Sequence, residues 1–320
     1  MTYLERYLHG ECEPVWEELT ALGADVFTEL VYSEALAVVR ETMRRVRNDI
    51  MTLIAHLTEL GYSFGYNHLL EMSLKNSLHN AEPDTSWRNQ IWSDYYDTLL
   101  WIQKQPPLFL PARLGVEEVG QRRLAWPGMP EGDEFEKLIA LTDEEQAAMP
   151  DMAQNVQELE RIVGRLPMAL RVWYEEVGAV NMYGYYSPWV DYSALLYPDF
   201  SRFSQERYLM EHCDPLQVCT LDARKLEYVR WWSERDQGIL SRYDFADDCC
   251  FKNYTGGGGT YGIDLTKPGI DGKELGLLET SFVGYLRKSI LRWGGFPGMA
   301  KWPKTPDDDL RYLTQDLQPF

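Results

Sequence analysis

Positive charge is scarce in this chain: 31 lysines and arginines stand against 50 aspartates and glutamates, a formal net charge of −19 over 320 residues. A field of that sign repels nucleic acid and anionic membranes, so neither is expected as a partner, and basic proteins are drawn in. The same acidity also serves solubility. Cysteine is sparse and scattered. Cys12, Cys213, Cys219, Cys249 and Cys250 form an odd set, which excludes the disulfide framework of a small secreted domain. Long apolar runs are missing: none approaches the ~18 residues of a membrane span. The opening MTYLERYLHGECEPVW carries charges where a signal peptide needs an apolar stretch. A cytoplasmic location is expected. Internal repeats and low-complexity tracts are absent as well.

What remains is ordinary globular material, 45% hydrophobic and 25% charged, with 11 Trp and 20 Tyr. The length suits one large domain or two smaller ones. The strongest periodic element is SEALAVVRETMRRVRNDIMTLIAHLTELGYSF. Ser33 is a good N-cap, and Gly61 stands where a helix end takes a left-handed residue. Between them Leu36, Val39, Met43, Val46, Ile50, Leu53, Leu57 and Leu60 recur at spacings of three and four, a seam that predicts a helix lying along another helix. Arg40, Arg44, Arg45 and Arg47 fall off the seam and read as solvated surface. A second helix, SWRNQIWSDYYDTLLWIQKQPP, is capped by Ser86 and stopped by Pro106 and Pro107, and is the natural partner for that seam.

Breakers crowd residues 106–150, which read as an irregular connection. Beyond it, MAQNVQELERIVG and LPMALRVWYEEVGAV predict short amphipathic helices, the second opened by Pro167 and closed by Gly178. PLQVCTL, RYDFA and TYGIDL are strand-like, and TSFVGYLRKSILRWGGFPG predicts a last helix capped by Thr280 or Ser281 and ended by Gly294 and Gly295. The expected organisation is α+β: a helical region over 1–105, the connection over 106–150, a mixed-sheet domain over 151–300 and a tail over 301–320.

Three patterns imitate catalytic motifs. In NYTGGGGTYGIDL, Gly257, Gly259 and Gly262 satisfy G-x-G-x-x-G. A phosphate loop needs Lys-Ser or Lys-Thr after its last glycine, and a dinucleotide fingerprint needs a following helix. Here the next lysine is Lys267, and strand-like alternation follows, then Pro268. The glycines therefore read as a hairpin or wide connecting loop, and no nucleotide cofactor is expected. GYSFG places Ser63 in G-x-S-x-G, but after the longest helix rather than after a strand, where a nucleophile elbow requires it. His212 with the cysteines lacks C-x-x-C or H-x-x-x-H spacing, so buried free thiols and no metal are expected. Acid clusters such as EGDEFEKL and TPDDD sit in turn-rich, polar context and read as solvated. No catalytic constellation survives, which favours a protein that binds; a hydrolase using Ser63 or an acid pair is the alternative from another class.

LPMALRVWYEEVGAVNMYG, RYDFADDCCFKNYTGGGGTYGIDL and TSFVGYLRKSILRWGGFPG, in that order across residues 152–298, resemble the helix-then-strand opening, the glycine step between strands and the closing helix of the SMI1/KNR4 (SUKH) superfamily. The long first helix is similar to an N-terminal extension of some bacterial members. The glycine run is longer than that pattern, and the vicinal Cys249 and Cys250 depart from it. The resemblance implies a non-catalytic α+β domain. Bacterial members are widely assigned as immunity proteins that neutralise a toxin, and fungal members as regulatory interaction proteins. An acidic inhibitor would be steered towards a basic nuclease toxin. For the contact surface, Tyr183, Tyr185, Tyr186, Trp189 and Tyr192 are crowded into a Gly/Pro/Ser loop and are candidate anchors. Trp231 and Trp232 cannot both face one core, so one is expected at the surface. Asp247 and Asp248 beside the glycine loop are candidates for meeting a basic partner.

Overall fold

A computed structural model describes residues 1–64, 108–110, 152–182, 184–186, 189, 215–219, 221, 223–235, 240–246, 261–273, 275, 280–301 and 307–320. These form an α+β protein with a helical N-terminus and small antiparallel sheets. Helix α1 (Tyr3–Leu8) opens with a capping box in which Thr2 and Glu5 satisfy each other's backbone N–H groups. Helix α2 (Cys12–Ala21) is tied to it by Arg6, whose guanidinium meets both oxygens of Glu18 at 2.7 Å. A 3-10 turn (Gly23–Phe27) then leads into α3 (Glu29–Leu60).

Helix α3 starts a turn earlier than Ser33 suggests. Thr28 holds the N-cap position with extended backbone, and its carbonyl takes the N–H groups of Val31 and Tyr32. The far end is as the sequence predicts: Gly61 adopts φ 86°, and Tyr62 N–H closes onto the Leu57 carbonyl at 2.9 Å. Along the seam Val39, Met43, Val46, Ile50, Leu53 and Leu57 are buried, with Leu36 and Leu60 partly so.

The remaining elements are β1 (Ser63–Phe64), β2 (Leu108–Leu110), α4 (Met152–Val163), α5 (Met168–Glu176), β3 (Ala179–Asn181), β4 (Gly184–Tyr185), β5 (Gln217–Val218), α6 (Ala223–Arg235), β6 (Arg242–Ala246), β7 (Tyr261–Asp264), α7 (Phe282–Arg287), a π-helical turn (Lys288–Arg292), a 3-10 turn (Pro297–Lys301) and α8 (Asp307–Thr314). Strands β2, β3 and β5 form one antiparallel sheet in that order, β1 pairs with β4, and β6 pairs with β7. A backbone hydrogen bond of 2.7 Å from Cys219 to Phe245 bridges the end of β5 to β6.

Helix α3 packs against α1, α5 and α8, helix upon helix as its seam predicts. The segment 86–105, expected as its partner, lies outside the described residues. One core cluster runs from Tyr7 through Leu53, Trp173, Phe245 and Phe282 to Phe320. The helical N-terminus and the mixed-sheet region are thus halves of one interior. In the C-terminal segment 307–320, α8 lies on α3 and Phe320 is 2% exposed. Arg45 corrects an expectation. It is 6% exposed rather than solvated, and bonds Glu41 at 2.8 Å and the Pro319 carbonyl at 2.7 Å.

Asp271 ties three parts of this interior together. Asp271 is half-buried, and its carboxylate accepts from Trp16 Nε1 at 3.1 Å, Gly272 N–H at 2.9 Å and Val283 N–H at 3.3 Å. Val283 belongs to the first turn of α7, whose N-cap Ser281 accepts from Gly284 N–H at 3.0 Å. Burial pushes the Asp271 carboxyl up, and the donors pull it back down. Asp271→Ala strands buried donors on α2 and α7, at about 1–3 kcal/mol for each group left unsatisfied. Urea unfolding of this variant should show a loss of about 3 kcal/mol. A stability indistinguishable from the parent protein would show that the carboxylate does not tie these helices.

Candidate functional site

Helix α6, ARKLEYVRWWSER, divides its residues by face. Leu226, Val229 and Ser233, spaced by three and four, are buried, and the helix packs on α4. Tyr228 and Trp231, three apart on the other face, are 50% and 52% exposed. Trp232 is half-buried between the faces. Its ring meets Trp231 edge-on, with centroids 5.0 Å apart at 82°, and Tyr228 at 6.2 Å and 70°. The Lys225 ammonium lies 5.6 Å from the Tyr228 ring centroid and 5.5 Å from that of Tyr243.

Exposed charged residues surround these rings: Glu227, Arg230 and Glu234. Arg230 reaches across to α4 and bonds Glu158 at 2.6 Å, where Arg161 also binds at 2.7 Å. Arg161 and then Arg230 hold the Glu158 carboxyl down at about 2. A single exposed aromatic residue is unremarkable on a protein surface. Three adjoining rings on a helix clamped to its neighbour, rimmed by charges, have the layout of a docking patch. Trp231 therefore points outward while Trp232 is partly covered. Tyr228 escaped sequence reasoning, although its i,i+3 relation to Trp231 was the available signal.

The aromatic loop is placed differently. Trp189 is 1% exposed, packed edge-to-face on Tyr186 at 5.1 Å and Phe296 at 5.0 Å. Its Nε1–H donates to Asp309 Oδ2 of α8 at 2.7 Å. A ring covered on its faces with its one polar group satisfied is core, so the expectation of Trp189 as a surface anchor is corrected. Tyr186 is half-buried beside it, and burial raises its phenol. Tyr185 lies in β4, opposite Ser63. Tyr183, Tyr192, Asp247 and Asp248 lie outside the described residues, as do Cys213, Cys249, Cys250 and His212. The structure thus separates the candidate anchors: Trp189 lies beside α8, while Trp231 and Trp232 stand on α6.

The catalytic look-alikes resolve by context. Ser63 follows α3 directly, and the adjacent Tyr62 is buried with its hydroxyl donating to the Met182 carbonyl at 2.7 Å. A helix precedes this serine where the nucleophile elbow requires a strand. Gly262 lies inside β7, opposite Asp244, and a β-carbon there would collide with the Arg242 side chain, which is bonded to Asp244 at 2.5 Å. Strand, not helix, follows the glycines, so the dinucleotide frame is not formed; residues 247–260 lie outside the described residues. Cys12 is buried and Cys219 half-buried, and no group of three metal-ligating side chains occurs among the described residues.

No family model, curated protein or solved structure matches the chain. No helix among the described residues is long and apolar enough to cross a membrane.

Two tryptophans give opposed expectations. Trp189→Ala empties a core site and should cost about 3–5 kcal/mol in chemical denaturation. Trp231→Ala removes an exposed ring and should change stability by no more than about 0.5 kcal/mol. Equal losses at both positions would show that Trp231 is covered in solution and the α6 patch is not free.

Proposed function

We propose that this chain is a non-catalytic binding protein that docks a protein partner through the aromatic face of α6. The observation that carries this reading is the pair Tyr228 and Trp231, about half exposed on a helix held to α4 by apolar packing and the Arg230–Glu158 pair. Aromatic side chains presented rigidly lose little freedom on binding, which is why such residues dominate interface energetics. The α+β architecture and the motifs over 152–298 support a SUKH-like immunity protein, with a basic toxin, such as a nuclease, as partner. The charge supports that choice of partner in a particular way. Residues 1–34 carry eight carboxylates against one arginine, so a net −7 of the chain's −19 sits on α1, α2 and the start of α3. The carboxylates would speed encounter, while the rings on α6 hold the docked complex.

Co-expression with the product of the neighbouring gene, capture, and rescue of cells expressing the captured protein test the reading directly. Raising salt should slow association about tenfold or more and alter dissociation far less. Trp231→Ala should speed dissociation by the equivalent of about 2 kcal/mol. Full rescue and unchanged kinetics in a Tyr228→Ala, Trp231→Ala double variant would remove α6 as the contact. An association rate indifferent to salt would leave the acidity to solubility alone.

A further inference from the structure

Helix α3 buries three polar side chains along one line, Thr42, Arg45 and Asp49. Each has a reason to be there. The Thr42 hydroxyl donates to the Val38 carbonyl and shares a 2.8 Å hydrogen bond with the Tyr7 hydroxyl. Arg45 and Asp49 meet a different partner, the segment that follows α8. Asp316 there adopts a left-handed φ of 64°, tolerable for an aspartate, and turns the chain back over α3. Gln318 N–H then donates to Asp49 Oδ1 at 2.8 Å, the Pro319 carbonyl accepts from Arg45 Nη1 at 2.7 Å, and the main-chain oxygen of Phe320 accepts from Arg287 Nε at 2.5 Å. Each of these three consecutive residues is gripped at its backbone by an ionisable side chain from α3 or α7, and the Phe320 ring is buried beneath them.

We propose that residues 315–320 form a strap that closes over the α2–α3–α7 seam while Asp49 is neutral and loosens when Asp49 ionises. Asp49 is 2% exposed, and its Oδ2 has no hydrogen-bond partner among the described residues. An anion held there is half-satisfied, whereas opening the strap returns it to water. The groups that share the seam are Arg45 and Glu41 of α3, Tyr7 of α1, Cys12 of α2 and Arg287 of α7. Of these only Arg45 favours the anion at Asp49, together with the Gln318 N–H. Two turns and more further along, His56 of α3 contacts the Leu313 carbonyl of α8, and Glu59 bonds Tyr312.

Burial, opposed by the Gln318 N–H and Arg45, pushes the Asp49 carboxyl up to about 6 from its ordinary 3.8. The closed strap therefore binds more protons than the open one between these values. Closure is fully supported at the acid end and is lost as pH rises through about 6. With those two values the opening equilibrium grows about tenfold between about pH 5 and about pH 7.5.

Hydrogen exchange on the full chain reads this opening at the Gln318 amide, once the intrinsic pH dependence of exchange is divided out. The expected result is a tenfold fall in protection across that interval, absent in Asp49→Asn, which keeps the acceptor oxygen but cannot ionise. Arg287→Gln should lower protection at both ends and keep the ratio. Protection independent of pH in the unsubstituted protein overturns the proposal, as does a slope that persists in Asp49→Asn or vanishes in His56→Gln. If Asp49→Asn does not fold, the unsubstituted and His56→Gln profiles still decide it.

Discussion

Helix α3 sets the terms for everything else. Its 32 residues extend about 48 Å at 1.5 Å per residue, and an apolar stripe must be covered along that length. No described element is long enough to cover it alone. The task is divided among α1, α5 and α8 with the π-helical turn, α8 meeting the end that carries His56 and Glu59. This division explains why residues from both halves of the chain share one interior. Without α5 and α8, α3 would present an unsatisfied stripe to water; without α3, those short helices would have little to pack on.

Apolar packing alone leaves the register of such contacts loosely fixed, because neighbouring turns of a hydrophobic stripe are similar. Buried and half-buried polar groups supply the missing specificity here. Asp271 accepts donors from α2, from the turn before α7 and from α7 itself, so these parts cannot slide without stranding a donor. The same logic holds where Tyr62 bonds the Met182 carbonyl, pinning the exit of α3 near β3 and β4. The buried Tyr174 and Tyr243 hydroxyls, 2.8 Å apart, do so for α5 and β6. Trp16 with Asp271, Tyr62 with Met182 and Tyr174 with Tyr243 join residues far apart in sequence, and the two tyrosine contacts are costly to break because their atoms are out of reach of water.

That separation also marks what could be read before the structure. The Gly61 cap, α5 opened by Pro167, the strands RYDFA and YGID, and the α7 cap at Ser281 are local, and periodicity or capping chemistry within a few residues defines them. Nothing within its own turn distinguishes Arg45 from the exposed Arg44; only the arrival of Pro319 and Cys12 does. Trp189 failed for a related reason. An aromatic residue among Gly, Pro and Ser has the composition of an interface loop, and only Asp309, distant in sequence, shows that its N–H is satisfied inside. Trp231 and Trp232 succeeded because adjacency on a helix is itself a geometric constraint: two side chains 100° apart cannot both enter one core.

The contrast between Trp189 and Trp231 bears on where a binding surface can be built. A loop offers adaptable rings but must be ordered when a partner arrives, at a cost of about 0.5–1.5 kcal/mol for each immobilised side chain. Helix α6 has already met that cost within the fold. Leu226 and Val229 bury its inner face, and Glu158 bonds both Arg230 and Arg161. The outer rings brace one another edge-to-face, so Tyr228 and Trp231 are held in place by contacts that belong to folding rather than to recognition. Rings that stay half exposed despite such a scaffold keep apolar area that only a further surface can cover, and covering it adds affinity without further ordering.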